Sequence, residues 1–349
     1  MNLEMNNTNS NVGNSKKISV LMSVYNETEK EINEAIESIL TQSVSDFELI
    51  IVNDNPQNIE YIGLLSKWED KDDRIKIIHN ESNIGLAESM NKALKLASGE
   101  YIARMDADDI SVSTRFEKEL SILENGEFDI VFTNYSRIGP NGELLDNGKP
   151  VCESYSSDKM TENIVFQGIV HHPTVMMKKV FLYRVKGYRN FPCSQDQDLW
   201  IRSLEAGGRF GYIDEVLLYY RIRNNSITKK KGCQQYVTIQ YILSLLTERE
   251  RNNGNDSFST TNYTSYIQKK CSAQSVEKYN VASNYLESAL EARREKDLLK
   301  STYLRVKAFL VSDVLRDGYL NKVINKKRLL LYIQQAHEND KLPEISNNY

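Results

Sequence analysis

Residues 17–110 alternate between two kinds of segment, and this alternation limits the folds open to the chain. Short runs of apolar, often β-branched residues are typical of buried parallel strands. Between them lie longer segments whose apolar residues recur every three or four positions, as in helices that bury one face. Parallel strands need crossover connections, so the pattern predicts an α/β fold with a mostly parallel sheet and helices on both faces. The four predicted strands are 17–24, 48–52, 74–78 and 100–105.

The helix boundaries carry their own signals. Thr28 precedes Glu31 by three residues, which is the spacing of a capping box, and Gly99 marks the end of the third helix. After Asp109 the alternation weakens, and helices dominate from about residue 234. We expect strands at 129–135, 174–177 and 211–220, helices at 116–123, 199–206, 298–315 and 325–335, and an exposed loop at 252–264.

Charge and composition exclude several functions. The 349 residues include 44 basic and 48 acidic side chains, and this balance argues against a nucleic-acid partner. The four cysteines form no Cys-x-x-Cys pair, so neither a zinc ribbon nor a thioredoxin-type site is expected. No apolar run approaches the ~20 residues that span a bilayer, and the first fifteen residues lack the features of a signal peptide. We therefore expect a disordered tail at 1–15 and a cytoplasmic protein.

Polar residues follow each of the four predicted strands. In an open parallel sheet, ligands bind beyond the carboxyl ends of the strands. A polar turn is unremarkable after any one strand, but four such turns at one edge favour a binding site. The segments concerned are 23–27, 53–55, 79–83 and 106–109.

The segment Asp106-Ala107-Asp108-Asp109 is the most informative of these. Three neighbouring carboxylates repel one another unless a cation is present, and hard oxygen ligands suit Mg²⁺ or Mn²⁺. The alternative is that an acidic residue favours the start of the following helix, although one Asp would suffice for that. We favour a site for a metal ion or for a diphosphate held through a metal.

The turn after the first strand, SVYNETE, contains no glycine, so a GxGxxG fold and a GxxxxGK[ST] phosphate loop are excluded there. Asp54 follows the second strand. A carboxylate only accepts hydrogen bonds, and uracil and thymine present an N3–H donor where cytosine and adenine present acceptors. Asp54 therefore favours a uridine- or thymidine-type nucleotide. Tyr25 either stacks on the base or is a core aromatic residue.

Two further groups of polar residues lie in the second half of the chain. Asp196 and Asp198 precede a predicted helix, where they either cap that helix or supply a general base. His171 and His172 precede the strand at 174–177. Adjacent residues of a strand point to opposite sides, so we expect at most one of the two histidines to face the site.

Four stretches, read together and in this order, resemble the family 2 glycosyltransferases, the GT-A-fold enzymes of bacterial capsule, exopolysaccharide and O-antigen assembly. They are ISVLMSVYNE, AIESILTQSVSDFELIIVNDN, NIGLAESMNKALKLASGEYIARMDADDIS and QDQDLWIR. The resemblance covers about residues 17–228. It implies a nucleotide-sugar-binding half at 16–110 and an acceptor-binding half at 111–230 of one GT-A domain, followed by a C-terminal helical region at 231–349.

The resemblance assigns catalytic and metal-binding roles to individual residues. Asp106 and Asp108 match the metal-binding Asp-x-Asp motif. Asp196 matches the catalytic base, although Gln195 replaces the Glu that usually precedes it, and Asp198 matches a further position that is commonly acidic. His172 matches a histidine often found near the acceptor, and with His171 it forms the expected acceptor-binding pair.

Other residues match positions that contact the donor. Asp54 matches the position that reads the base, and Asn53 replaces the Asp that most members carry before it. Tyr220 and Arg221 with Ser226 resemble a loop that closes over the donor diphosphate, where Arg223 stands in for the usual histidine. The expected nucleotide-sugar-binding residues are Ser23, Tyr25, Asn26, Glu27, Asp54, Asn83, Arg104, Asp106 and Arg221.

The implied reaction is an inverting transfer of a sugar from a nucleotide-sugar, expected to be a UDP-sugar, to a hydroxyl of a saccharide acceptor. Mn²⁺ or Mg²⁺ is the expected cofactor, and an acceptor linked to undecaprenyl diphosphate is the expected partner. The departures at Asn53 and Gln195 keep open a catalytically inactive binding protein. A sugar-nucleotide pyrophosphorylase would need a Gly-rich, Arg-containing loop after the first strand, which SVYNETE lacks.

The segment 296–335 combines an apolar stripe with basic residues, among them Lys326, Lys327 and Arg328. A basic amphipathic helix can lie on anionic lipid, which predicts peripheral attachment to the inner face of the plasma membrane. The alternatives are that the stripe packs on the catalytic domain or forms a homodimer.

Overall fold

The computed structural model describes residues 17–148, 157–223 and 231–339. Its strands are β1 (Ile18–Val24), β2 (Phe47–Asn53), β3 (Ile75–His79), β4 (Tyr101–Asp106), β5 (Ile110–Ser111), β6 (Ile130–Ile138), β7 (Val175–Lys178) and β8 (Phe210–Arg221). They form one sheet in the order β3-β2-β1-β4-β7-β6-β8-β5. Strands β1 to β4 pair in parallel, as do β6 and β8, whereas β7 and β5 run antiparallel to their neighbours. The expected mostly parallel α/β sheet is confirmed.

Helices cover both faces of this sheet. They are α1 (Glu29–Leu40), α2 (Ile59–Lys71), α3 (Leu86–Leu96), α4 (Arg115–Glu124), α5 (Ser157–Gln167), α6 (Lys179–Arg184) and α7 (Gln195–Glu205), followed by the C-terminal helices α8 (Gly232–Arg251), α9 (Thr260–Lys270), α10 (Ala273–Arg294), α11 (Leu298–Val311) and α12 (Asp313–Asn339). Successive strand residues point to opposite faces, so Leu21 and Met22 of β1 belong to two different cores.

The predicted start of α1 is confirmed in its details. The Thr28 hydroxyl accepts a hydrogen bond from the Glu31 amide at 3.3 Å, and the Glu31 carboxylate accepts one from the Thr28 amide at 2.7 Å. Gly99 lies beyond the end of α3, where a Cβ atom would be 2.5 Å from the Ser19 amide nitrogen. The glycine therefore allows the chain that enters β4 to approach β1 closely.

Two predicted boundaries in the C-terminal half are wrong. The loop expected at 252–264 ends at Ser259, whose side chain accepts a hydrogen bond from the Asn262 amide and so starts α9 early. The continuous helix expected over 298–315 breaks at Ser312, which has an extended backbone. The Ser312 hydroxyl accepts from the Leu315 amide, so this residue starts a new helix inside an unbroken apolar stripe.

The C-terminal helices share a core with the sheet. Trp200 of α7, Tyr241 of α8, and Leu329 and Ile333 of α12 are buried in one apolar cluster with β1, β2 and β4 residues. The cluster crosses from the α/β part into the helical part without a polar layer between them. In the described part of the chain, every helix is too short or too polar to cross a bilayer.

Two basic residues of α12 pair with acidic residues of α5 and α8. The Lys326 ammonium lies 2.7 Å from a Glu162 carboxylate oxygen, and the Arg328 guanidinium lies 3.4 Å from Glu250. The exposed side of these helices is apolar instead: Leu299, Val306 and Leu310 of α11 and Ile324 of α12 are each more than half exposed. Lys326 and Arg328 of the predicted basic face are therefore paired within the protein, whereas Lys300 and Lys327 are exposed.

Candidate active site

The segments that follow β1, β2 and β3 are hydrogen-bonded to one another at the carboxyl edge of the sheet. The Asp54 amide donates to the Val24 carbonyl at 2.9 Å, and the Asn80 amide donates to the Asn53 carbonyl at 3.0 Å. On the other side of β1, Ser23 is the register partner of Asp106, the last residue of β4. The fold thus brings together the four polar segments that the sequence places after these strands.

Asp106, Asp108 and Asp109 form an acidic cluster in which one carboxylate oxygen from each lies within 4.8 Å of the others. Burial and the Asp106 charge raise the pKa of Asp108 to about 7, and burial raises the pKa of Asp109 well above its ordinary value. The Asp109 side chain is fully buried, and its Oδ2 atom has no hydrogen-bond partner. An orphaned oxygen beside two further carboxylates fits a divalent cation.

Asp106 and Asp108 are the metal ligands predicted from the sequence, and that prediction does not include Asp109. Its one satisfied oxygen accepts a hydrogen bond from the Arg221 amide at 2.9 Å, which fixes the carboxylate beneath the cluster. The sequence shows the third Asp but not that it is buried, because that burial depends on β8 packing against this segment.

Two arginines balance the charge of the cluster. Arg104, buried in β4, pairs with the Asp106 carboxylate and donates to the Leu21 carbonyl at 3.2 Å. Arg223, at the end of the described segment, lies 2.7 Å from Asp108 and 3.3 Å from Glu27. Arg104 therefore sits under the cluster, whereas Arg223 is half-buried beside it.

Arg221 is almost fully buried. Its guanidinium donates to the Asp108 carbonyl at 2.7 Å, to the Pro140 carbonyl at 3.1 Å and to the Glu34 carboxylate at 2.6 Å. These hydrogen bonds occupy the N–H groups of the guanidinium with oxygen atoms of the protein. They therefore do not support the role in nucleotide-sugar binding that the resemblance implies for Arg221. Ser226, the other residue of the implied closing loop, lies outside the described residues.

Asp54 holds the loop after β3. Its carboxylate accepts hydrogen bonds from the Asn80 side chain at 2.8 Å and from the amides of Ile84 and Gly85 at 2.8 and 2.9 Å. The residue is only 3% exposed. A base contact would use Oδ2, the oxygen that accepts a single one of these bonds. The neighbouring Asn53 contacts His79 Nδ1 at 3.1 Å through its amide nitrogen, which the family's usual Asp does not carry.

The predicted donor-binding residues after β1 form an open turn. The Glu27 carboxylate accepts hydrogen bonds from the amides of Tyr25 and Asn26 at 2.7 and 3.1 Å, which shapes the turn without glycine. Tyr25 is 46% exposed, so its ring is free of the core. Ser23 is half-buried, and Asn83 is exposed in the loop after β3. A base can therefore stack on Tyr25 without displacing core residues.

Asp196 lies in the first turn of α7, two residues after Ser194, whose backbone is left-handed with φ of 57°. Burial raises the pKa of Asp196 to about 6, while hydrogen bonds from the backbone amides of Gln197 and Asp196 oppose the shift. The Asp106 carboxylate also raises this pKa, and the Arg104 charge lowers it. The N-terminus of α7 therefore lies within electrostatic range of the acidic cluster, as a base near a reacting centre requires.

Asp198 has different surroundings. Its buried carboxylate accepts hydrogen bonds from Arg189 Nε at 3.0 Å and from Arg202 Nε at 2.8 Å. Although burial alone would raise the pKa of Asp198, these arginines lower it to about 2. Arg189 also binds Asp256 at 2.8 Å, which ties α7 to the segment after α8. The contacts favour a structural role over the catalytic role predicted for Asp198, because a carboxylate held by two arginines is a weak base.

The two histidines have different surroundings, although they lie in a 3-10 turn before β7 and not in a strand as the prediction assumed. His172 is buried, and its Nε2 lies 2.8 Å from the Tyr188 hydroxyl. His171 stacks on Tyr135 with ring centroids 4.3 Å apart and meets the Tyr220 ring edge-on at the same distance. Burial lowers the pKa of His171 to about 4, and the Asp106 charge opposes this shift. Its Nε2 has no hydrogen-bond partner among the described residues, so His171 is better placed than His172 to contact a ligand.

The chain resembles known proteins along this same part of its sequence. The family model described as Glycosyl transferase family 2 matches residues 19–182. The "Uncharacterized glycosyltransferase MJ1057" of Methanocaldococcus jannaschii is 39% identical over 228 residues, which cover 64% of this chain and 78% of that protein. The "O-antigen biosynthesis glycosyltransferase WbnJ" of Escherichia coli is 34% identical over 229 residues, which cover 65% and 87%.

A solved structure gives a second, independent likeness. The crystal structure of S. aureus TarS 1-349 in complex with UDP-GlcNAc aligns with a TM-score of 0.55 at 16% identity. The alignment covers 85% of this chain and 92% of that chain. At this identity the likeness concerns the fold alone, and it confirms the GT-A-like architecture with its C-terminal helical region.

Proposed function

The chain belongs to glycosyl transferase family 2, and we propose that it transfers a sugar from a UDP-sugar to a hydroxyl of a saccharide acceptor, with inversion at the anomeric carbon. The observation that carries the proposal is the cluster of Asp106, Asp108 and Asp109, whose buried and unpartnered Asp109 oxygen fits a divalent cation, and the Asp106 charge also acts on Asp196. A proton acceptor and a diphosphate-binding cluster then face the same reacting centre.

The chemistry assigned to this chain is a single displacement. Asp196 accepts the proton of the acceptor hydroxyl through its carboxylate. The hydroxyl oxygen forms a bond to the anomeric carbon while the bond from that carbon to the diphosphate oxygen breaks, and the electron pair leaves with the nucleoside diphosphate. The pKa of Asp196, about 6, suits this task because the group is ionised at neutral pH and is still basic enough to accept a proton.

Asp106, Asp108 and Asp109 would hold the divalent cation, Mn²⁺ or Mg²⁺. When bound, the ion neutralises negative charge that develops on the departing diphosphate. Arg223 adds a second positive charge next to Asp108, and Arg104 fixes the orientation of Asp106. The chain therefore orients the leaving group from two sides without a glycine-rich loop.

The donor assignment to a UDP-sugar draws on the turn after β1 and on Asp54. The exposed Tyr25 ring offers a stacking surface, and Oδ2 of Asp54 offers an acceptor for a uracil N3–H. The structural relative TarS binds UDP-GlcNAc and UDP, according to the descriptions of its complexes. Ser23, Asn26, Glu27 and Asn83 complete the proposed donor site.

We assign the acceptor to surface polysaccharide synthesis. The relatives include an O-antigen enzyme and a "Putative teichuronic acid biosynthesis glycosyltransferase". In this proposal a lipid-linked saccharide presents its hydroxyl to Asp196 and contacts His171, and the protein works at the inner face of the membrane. The exposed apolar face of α11 and α12 is the proposed contact with the membrane, and a homodimer through the same face is the alternative.

A donor-hydrolysis screen tests the proposal. Purified protein is incubated with single UDP-sugars and Mn²⁺ or Mg²⁺, and the release of UDP is measured. We expect UDP release from at least one UDP-sugar, and faster release when a saccharide acceptor is present. The Asp196→Asn variant should transfer no sugar to the acceptor. Donor binding without any UDP release would indicate a catalytically inactive binding protein instead.

A further inference from the structure

A cavity of about 360 Å³ lies between the catalytic half and the C-terminal helices. Its walls come from α5, α7, α8, α10, α11 and α12. The volume is within the range of small-molecule sites. Gly318 lets α12 approach α8 closely, because a Cβ atom there would lie 2.4 Å from the Tyr236 hydroxyl. The close approach of α12 to α8 therefore forms one side of the cavity.

The cavity surface is apolar because its polar side chains bond elsewhere. Gln197 donates to the Ile164 carbonyl at 2.8 Å, and the Tyr236 hydroxyl donates to the Leu315 carbonyl at 3.2 Å. What remains facing the space is mainly hydrocarbon from Leu243, Leu286 and Phe309. Such a lining binds an apolar group and offers little to a sugar or a nucleotide.

The cavity reaches the protein surface at Tyr319, which lines it and is 50% exposed. The neighbouring Leu320, Val323 and Ile324 of α12 are 47%, 55% and 72% exposed. An apolar surface thus leads from the outside of the protein to the cavity. A hydrocarbon chain entering here stays in contact with apolar side chains along its path.

Three lysines lie around Glu162 of α5, the helix that forms one wall of the cavity. Lys326 pairs with Glu162 at 2.7 Å, and Lys159 and Lys322 add positive charge to the same carboxylate. The half-buried Lys322 lines the cavity and donates to the Phe166 carbonyl at 2.8 Å. The Lys322 charge at the cavity wall, with Lys326 one helical turn further along α12, complements an anionic headgroup.

The inner wall of the cavity belongs to the segments that carry the site. Gly168 lines it three residues before His171, and Gln197 lines it next to Asp196. A ligand in the cavity therefore lies behind His171 and Asp196, the residues proposed to face the acceptor.

We propose that this cavity holds the hydrocarbon chain of an amphiphilic phosphate, a long-chain prenyl or alkyl phosphate, with the phosphate against Lys322 and Lys326. The inference rests on the proposed transferase function, since the phosphate lipid would be the carrier to which the acceptor sugar is attached. The cavity then binds the lipid part of the acceptor, and the sugar lies outside it.

Calorimetric titration of the full chain with farnesyl phosphate, without nucleotide, tests this site. We expect one molecule to bind per chain, and the Leu286→Trp variant, which fills the cavity, to bind at least ten-fold more weakly. Leu290→Trp is the matched control, because Leu290 is exposed one turn further along α10. Wild-type affinity in a folded Leu286→Trp protein overturns the proposal.

A second comparison tests whether the lysines bind the phosphate headgroup. Farnesyl phosphate should bind at least several-fold more tightly than farnesol, and Lys322→Gln with Lys326→Gln should remove this preference, whereas Lys327→Gln should keep it. Equal affinity of the wild-type protein for farnesol and farnesyl phosphate overturns the assignment of the lysines. Inorganic phosphate alone should not bind detectably, since the hydrocarbon chain carries the affinity.

Crosslinking needs no variant and covers the case in which Leu286→Trp does not fold. A benzophenone-bearing prenyl phosphate should label peptides within 236–243 and 309–322, and labelling confined to other peptides overturns the proposal. UDP release from donor alone is measured in parallel. Loss of lipid binding with UDP release intact separates failure of this inference from failure of the transferase assignment.

Discussion

The guanidinium of Arg223 lies 2.7 Å from a carboxylate oxygen of Asp108, so an arginine shares the oxygen cluster that fits a divalent cation. The same guanidinium lies 3.3 Å from Glu27 in the turn after β1. One side chain therefore connects the end of β8, the proposed metal ligands and the proposed donor site. In the free protein Arg223 compensates charge that the cation would otherwise compensate.

Replacing Arg223 with Gln should change metal binding and transfer in opposite directions. Asp108 loses a charged partner, so Mn²⁺ should bind several-fold more tightly in the absence of donor, as measured by calorimetry. Transfer should fall by about 10- to 100-fold, because a hydrogen bond to a charged group contributes about 1.5–3 kcal/mol. Arg184→Gln, at an exposed arginine of α6, is the control. Unchanged metal affinity would mean that Arg223 does not compete with the ion.

Transfer should require a divalent cation. Asp108→Asn should lower the rate by about 100-fold or more, since it removes one ligand of the ion that stabilises the leaving group. The matched control is Asp73→Asn, an exposed Asp before β3 at the opposite edge of the sheet. UDP release is followed with and without EDTA. Full activity in excess EDTA would contradict the metal requirement.

The pH profile of transfer should report Asp196. Burial raises its pKa to about 6, and only the ionised form accepts a proton. The rate should therefore be high above pH 7 and fall ten-fold per unit as the pH drops below 6. Asp196→Asn should abolish transfer and leave UDP affinity unchanged, which calorimetry can check. An active Asp196→Asn variant would exclude this residue as the base.

The main effect of Asp198→Asn should be a lower free energy of unfolding. Its carboxylate is buried between Arg189 and Arg202, and removing one partner of a buried ion pair costs about 3–5 kcal/mol. Because the pKa of Asp198 is lowered to about 2, this contribution is present above its ordinary value of 3.8 and is lost as the pH falls through about 2. Urea unfolding at pH 7 measures the difference.

Asp196→Asn is the control for that experiment, because it lies two residues earlier on α7, outside the contacts of these arginines. Its free energy of unfolding at pH 7 should equal or exceed that of wild type, because a carboxylate whose pKa is raised by burial destabilises the folded protein when it is ionised. A stable Asp198→Asn protein that has lost only transfer would reverse the two roles.

The sequence predicts the sheet better than it predicts the site. Strand alternation and the capping box of Thr28 are local patterns, and the structure has both. The pairing of Arg189 with Asp256 joins residues 67 positions apart, and no local pattern reveals such a contact. The burial of Asp109 and Arg221 likewise depends on β8 packing against the cluster. The sequence therefore shows which residues can bind a cation, but their arrangement depends on segments that are distant in the sequence.

The core shared by Trp200, Leu329 and Ile333 has a consequence for biosynthesis. A chain emerging from the ribosome has made β1 to β8 long before it makes α12, so one apolar face stays uncovered until α12 has been made. The helix that carries Asp196 gains its last packing partners only then. The transferase therefore completes this core only after α12 has been made, and a copy that lacks α12 has no settled place for Asp196, the proposed base.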